Sequence, residues 1–113
     1  MINQFNMDLN NLNNFIGGWI CGNFLPSLFK TENFEVAIKR YNKGDIDSKH
    51  YHKEAIEYTV IVEGIVKMND IIYKKDDIIT IEKYEAVLFE CIEDAITVVI
   101  KTPSVLNDKF LEI

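Results

Sequence analysis

The chain has 113 residues, 48% of them hydrophobic and 27% charged, with two prolines and five glycines, which is the make-up of one ordinary globular domain and excludes a linker, a collagen or a disordered tail. At this length roughly two-thirds of the unfolded surface is buried on folding, so a hydrophobic core forms without staples, and a second domain does not fit. Twelve Lys plus Arg against eighteen Asp plus Glu give a net charge of -6, with the basic residues scattered apart from Lys39-Arg40 and Lys74-Lys75; that balance argues against nucleic acid or an anionic membrane as a partner.

Residues 1–14 are rich in asparagine, with Phe5, Met7, Leu9 and Leu12 spaced between. They read as an N-terminal arm, either frayed or ordered by docking on a neighbouring subunit, ahead of a single domain over 15–113. The apolar stretch from Phe15 to Leu25 is interrupted by Gly17, Gly18, Gly22 and Asn23 and has no basic segment before it, so neither a signal peptide nor a membrane span is expected. Phe15, Trp19, Phe24 and Phe29 are most simply core or interface aromatics, with a stacking platform for a sugar ring as the functional alternative. Cys21 and Cys91 stand seventy positions apart with no Cys-x-x-Cys spacing. Reduced thiols in a cytoplasm are the plain reading.

From Phe15 onward the dominant pattern predicts strands. Residues 34–41 nearly alternate and look half-buried, whereas Tyr58-Thr59-Val60-Ile61-Val62 is an unbroken β-branched and aromatic run that looks buried on both faces. Strands over 65–68 and 71–73 are separated by Asn69-Asp70, two residues that accept the left-handed backbone of a tight hairpin. Residues 77–82, 86–91 and 95–101 supply three more. No dozen residues keep a 3.6 period, so helix is limited to a turn or two, near Pro26-Ser27-Leu28-Phe29. Eight to ten short strands with frequent turn signals predict an all-β antiparallel sandwich or barrel, closed or nearly closed as a jelly roll.

The only two histidines stand as His50-Tyr51-His52. In a strand, residues two apart share a face, so both imidazoles aim at one point while Tyr51 faces away. Glu57 opens the next strand, and alternation places Glu57, Thr59 and Ile61 on one face, within reach of the imidazoles. Two imidazoles and a carboxylate on a rigid sheet form a set that holds divalent Fe, Mn, Ni or Zn with positions left open. The bland alternative is an exposed His-containing turn beside a surface glutamate.

Gly44, five residues, His50, one residue, His52, four residues, Glu57, six residues and Gly64 resemble the first signature motif of the cupin superfamily at every spacing. The resemblance covers about residues 34–101. It implies a small antiparallel jelly-roll barrel, frequently dimeric, with a metal or ligand inside. The second motif departs: Asp76, Glu82 and Tyr84 stand where Gly, Pro and Gly are usual, and Val87 stands at the place of the fourth metal ligand, a histidine. Three readings follow: a metal on His50, His52 and Glu57 with water completing it; the same residues without metal, as hydrogen-bonding or acid–base groups; or rescue by Glu85 or Glu90, although alternation from Val87 sends Glu90 to the opposite face.

The first functional reading is a small cytoplasmic metal-dependent enzyme acting on a small polar metabolite, with Glu57 and Tyr41 as proton-transfer candidates. The resemblance admits oxygenase, isomerase, epimerase and lyase chemistry. Stretches such as Gly22–Ser27 and Lys101–Ser104 resemble those of short cupins from bacterial sugar and polysaccharide gene neighbourhoods, which makes a sugar derivative one expected metabolite and carbohydrate metabolism the setting; the alternative is a barrel that binds a sugar or sugar nucleotide without turnover. Lys39 lies two positions from Tyr41, and either lines the barrel with it or, more simply, holds its ammonium in solvent. Cys91 reads as a buried, inert thiol. Tyr58, Val60 and Val62 are apolar on the face away from the interior, which predicts a homodimer.

Overall fold

Alternating apolar residues, punctuated by residues that accept a left-handed backbone, produce nine strands in the computed structural model, which describes residues 7–112. They are β1 (Trp19–Gly22), β2 (Phe29–Lys30), β3 (Glu35–Tyr41), β4 (Ile46–Tyr51), β5 (Ile56–Met68), β6 (Ile71–Lys74), β7 (Ile78–Ile81), β8 (Val87–Thr102) and β9 (Phe110–Leu111). The hairpin between β5 and β6 turns on Asn69 and Asp70, both with positive φ (49° and 68°), so that Met68 pairs with Ile71. That is the left-handed pair a two-residue hairpin requires.

Two pairs of expected strands are each a single bent strand. Residues 58–62 and 65–68 belong to β5, and the expected strands over 86–91 and 95–101 both fall in β8, which begins at Val87. Gly64, with φ of 88°, marks the bend in β5, where the register against β8 shifts between Ile61 and Val66. A glycine bulge lets a strand change direction without leaving the ladder, so no turn is needed.

The bends split the sheet into two faces that share β5 and β8. The later half of β8 pairs with β3 and with the first half of β5, and β1 and β7 extend that side. Its earlier half pairs with β4 and with the end of β5, and β6 and β9 extend the other. Between the faces lies a core of Ile61, Val66, Met68, Ile81, Val87, Phe89, Cys91 and Ala95. The architecture is the expected all-β jelly-roll type, but the sheet is not closed: its hydrogen-bonded path ends at β2 on one side and β9 on the other.

The helical turns fall elsewhere than Pro26–Phe29, where the chain only bends before entering β2. They are short 3-10 turns at Leu12–Asn14 and Ile16–Gly18. The asparagines explain the first: Asn11 Oδ1 accepts from the Asn13 backbone N–H, and Asn14 Oδ1 accepts from that of Asn11, each at 2.9 Å. Met7 and Leu9 of the arm are 77% and 97% exposed; Phe5 lies outside the described residues. Both cysteines are free, Cys91 being buried. No helix among the described residues is long and apolar enough to cross a membrane.

Candidate metal and ligand pocket

His52 follows directly on β4 and is 4% exposed. Three contacts hold it. Its carbonyl accepts from Tyr84 N–H at 2.7 Å, Nδ1 meets the backbone carbonyl of Asp108, and the preceding Tyr51 stacks between Tyr84 and Phe110, facing away as expected. A carbonyl can only accept, so Nδ1 carries a proton and Nε2 presents its other face to the pocket. Nε2 is buried without a hydrogen-bond partner and lies 3.5 Å from Oε1 of Glu57.

Glu57 sits at the start of β5, opposite Ile81 on one side and Lys101 on the other. Its Oε2 accepts from the Thr59 hydroxyl at 2.8 Å. Burial pushes the carboxyl pKa up, but the His52 ring, the Thr59 hydroxyl and the Lys101 ammonium together outweigh burial and hold it below the usual range. Glu57 is therefore an ionised carboxylate facing an imidazole nitrogen. A bare lone pair on Nε2 would repel it, so the 3.5 Å gap suits a cation between the two, either a proton on the ring or a metal ion.

His50, on β4, lies beside His52 with ring centroids 5.3 Å apart, edge to face. Its Nδ1 is 2.8 Å from the Ser48 carbonyl, which leaves Nε2 without its proton when the ring is neutral. All three predicted residues line one pocket of about 900 Å³. As the side chains stand, no three His, Cys, Asp or Glu groups among the described residues are close enough to enclose a metal. Val87, paired with His50 across β4 and β8, forms an apolar wall where the fourth ligand would be. Of the two candidate substitutes, Glu85 also lines the pocket, whereas Glu90 is turned away and paired with Lys67 at 3.3 Å.

Tyr41 lines the pocket against Phe89, ring centroids 4.5 Å apart. Burial first, then Asp47 and Glu57, pushes its phenol up to about 12. It remains a protonated donor across the neutral range. Lys39 corrects the simpler expectation: it points inward beside Thr97, half-buried, because β3 presents Ala37, Lys39 and Tyr41 to the interior and the alternate residues Val36, Ile38 and Arg40 to the other face. Cys91 is buried, its thiol donating to the Glu93 carbonyl at 3.0 Å, and burial raises its pKa; it is an inert thiol, outside the pocket lining.

Sequence reasoning missed Asp108. Its carboxylate accepts from the backbone N–H groups of Lys53, Glu54 and Ala55 at 2.8 to 3.3 Å while its own carbonyl receives His52. Burial raises its pKa, and those N–H groups outweigh burial and lower it. Fifty-six positions separate Asp108 from His52, so nothing local could have signalled the contact. Also unforeseen were the inward Lys101 and Thr97, the latter a buried hydroxyl with no partner among the described residues.

No family model matches the chain, and no curated protein matches it significantly in sequence. Solved structures do match in shape. An uncharacterised conserved protein with a double-stranded beta-helix domain from Klebsiella pneumoniae subsp. pneumoniae MGH 78578 is 17% identical, with a TM-score of 0.66 over 98% of this chain and 96% of that one. The DMSP lyase DddQ from Ruegeria pomeroyi DSS-3 is 12% identical, with a TM-score of 0.68 over 82% of this chain and 49% of its own. The bacterial pirin YhhW from Escherichia coli, in complex with nickel(II), is 16% identical, with a TM-score of 0.64 over 77% of this chain and 39% of that one. This chain thus spans about half or less of the length of the last two. At these identities the likeness is one of fold: a double-stranded β-helix.

Proposed function

We propose that the pocket is the site of a small metal-dependent enzyme acting on a small polar metabolite, with His50, His52 and Glu57 as the metal-holding set. One observation carries the reading: the buried, unpartnered Nε2 of His52, its tautomer set by the Asp108 carbonyl, facing an ionised carboxylate. An imidazole fixed through its other nitrogen is the arrangement that orients a metal-ligating histidine. A divalent Fe, Mn, Ni or Zn ion held there would supply Lewis-acid polarisation of a substrate oxygen. The rest is the work of the chain. Glu57, ionised at neutral pH, has Oε2 fixed by Thr59 and Oε1 left to hold the ion or, where no ion stands there, to take a proton, and the protonated Tyr41 phenol is a proton donor in the same pocket. Ile81, Val87 and Phe89 form an apolar wall that limits water.

Metal analysis of untagged protein purified without chelator, followed by calorimetric titration with nickel(II), tests this. His52→Ala is expected to lose uptake while its circular dichroism is unchanged. Equal metal content in wild type and variant overturns the ligand assignment. The competing reading, a barrel that binds a sugar or sugar nucleotide without turnover, is favoured because no third His, Cys, Asp or Glu among the described residues closes on the His52–Glu57 pair; wild-type protein that takes up no nickel while retaining its fold decides for it. In either case we place the protein in the cytoplasm, on its two free thiols, and as a homodimer, on the apolar outer face of β3, β5, β7 and β8.

A further inference from the structure

The pocket holds a second polar cluster that the His52–Glu57 pair does not use. Lys39 on β3 and Lys101 on β8 reach the same indole: their Nζ atoms lie 5.1 Å and 4.9 Å from the centre of the Trp19 ring. All three residues line the pocket. Across the strands Lys101 pairs with Glu35 on one side and Glu57 on the other, yet no carboxylate among the described residues stands within 4.0 Å of either ammonium. The ring quadrupole attracts each cation but cannot neutralise two of them. Burial first, then Lys101, lowers the Lys39 pKa, as expected where two cations share a partly dry wall. The other lysine of the pocket, Lys109, is engaged by Asp47 at 3.3 Å.

We infer that Lys39 and Lys101, gathered on Trp19, bind the carboxylate of a small acid whose second oxygen reaches the His52–Glu57 end of the same pocket. The inference rests on the reading of that pocket as a ligand site. Size and charge both point this way. Lys101 and Glu57 are direct cross-strand partners, about 5 Å apart at the backbone, so a molecule a few carbons long spans from one to the other. Asp45, Asp47, Glu57 and Glu85 also line the pocket, and they would repel a polyphosphate or nucleotide far more than a single carboxylate. Thr97, the cross-strand partner of Lys39, adds a buried hydroxyl still in need of a hydrogen bond.

Trp19 is the only tryptophan in the chain, so its fluorescence reports the site directly. The experiment titrates the protein at fixed ionic strength with lactate, with neutral lactamide and with inorganic phosphate. Saturable quenching by lactate alone is expected. Lys39→Met and Lys101→Met should each weaken it about tenfold, a loss of roughly 1.4 kcal/mol, with nickel(II) uptake and circular dichroism unchanged, while Lys39→Arg and Lys101→Arg keep the affinity. An equal response to lactamide, stronger competition by phosphate, no saturable response to millimolar lactate, or wild-type affinity in either methionine variant overturns the inference. The two readings fail separately: lysine-dependent lactate binding without nickel uptake counts against the metal alone, and nickel uptake without lactate binding counts against the carboxylate alone.

Discussion

Asp108 secures the histidine end of the pocket twice over, through its carbonyl to His52 and through its carboxylate to the N–H groups of residues 53–55. Removing the carboxylate leaves several half-buried N–H donors unmatched, at about 1–3 kcal/mol for each group left unsatisfied. Asp108→Ala is therefore expected to lose about 3 kcal/mol in urea unfolding. The pH dependence has a definite sign. The folded pKa is depressed, so the stabilisation is present above the unfolded value of about 3.9 and is lost as pH falls through the lower folded value. The stability gap between wild type and Asp108→Asn should stay constant above about pH 5 and narrow below about pH 4. A gap that does not change with pH would refute the role given to the carboxylate.

At the scale of the strand, the two glycines of the first motif do different things. Gly44 has φ of 92° with nothing within 4 Å of where a Cβ would stand, whereas at Gly64, φ 88°, a Cβ would run into the Asp94 carbonyl and lie 2.6 Å from Ala95 Cα. The first position demands only a left-handed backbone; the second also demands that β5 press against β8 at the bend. Gly44→Ala should cost about 1 kcal/mol, from backbone strain alone. Gly64→Ala should cost about 3 kcal/mol or more, since neither neighbouring backbone can yield. Urea midpoints measure both, and equal losses would show that the bend does not depend on the close approach. The bend matters for function because it lets Glu57 and Thr59 sit on the pocket side of one end of β5 while Val66 and Met68 fill the core at the other.

For the whole molecule, the outer side of the sheet is apolar in register. Val36, Ile100 and Tyr58 form one cross-strand row, and Ile38, Val98, Val60 and Ile78 the next. Residues directly opposite share a face, and here that face is away from the core, with Tyr58, Val62 and Ile78 being 36%, 38% and 66% exposed. A second copy would offer the same apolar rows, and a two-fold pairing of them would cover both. Sedimentation equilibrium should give twice the single-chain mass of 13.1 kDa, and Val60→Asp should return it to one. A wild-type mass near 13.1 kDa would mean that these side chains remain in water.

Local pattern alone determined a good deal of this protein. Alternation and apolar runs marked several of the strands between β3 and β8, Asn69-Asp70 the hairpin, and His50, His52 and Glu57 as residues that line one pocket, because each of these signals is carried by neighbours in the chain. Other features were decided only by packing. Whether residues 62–65 turn or bulge depends on the backbone of β8 pressing against Gly64, and whether Lys39 faces water depends on which side of β3 is covered by β1 and the residues before it. The hold of Asp108 on His52 joins residues 56 positions apart, and the meeting at Trp19 brings together Lys39 and Lys101, 62 positions apart. A sequence read by its periodicities records which face a residue shares with its neighbours in the strand, but which distant residues reach that face is set by the register of the sheet, a property of the folded chain.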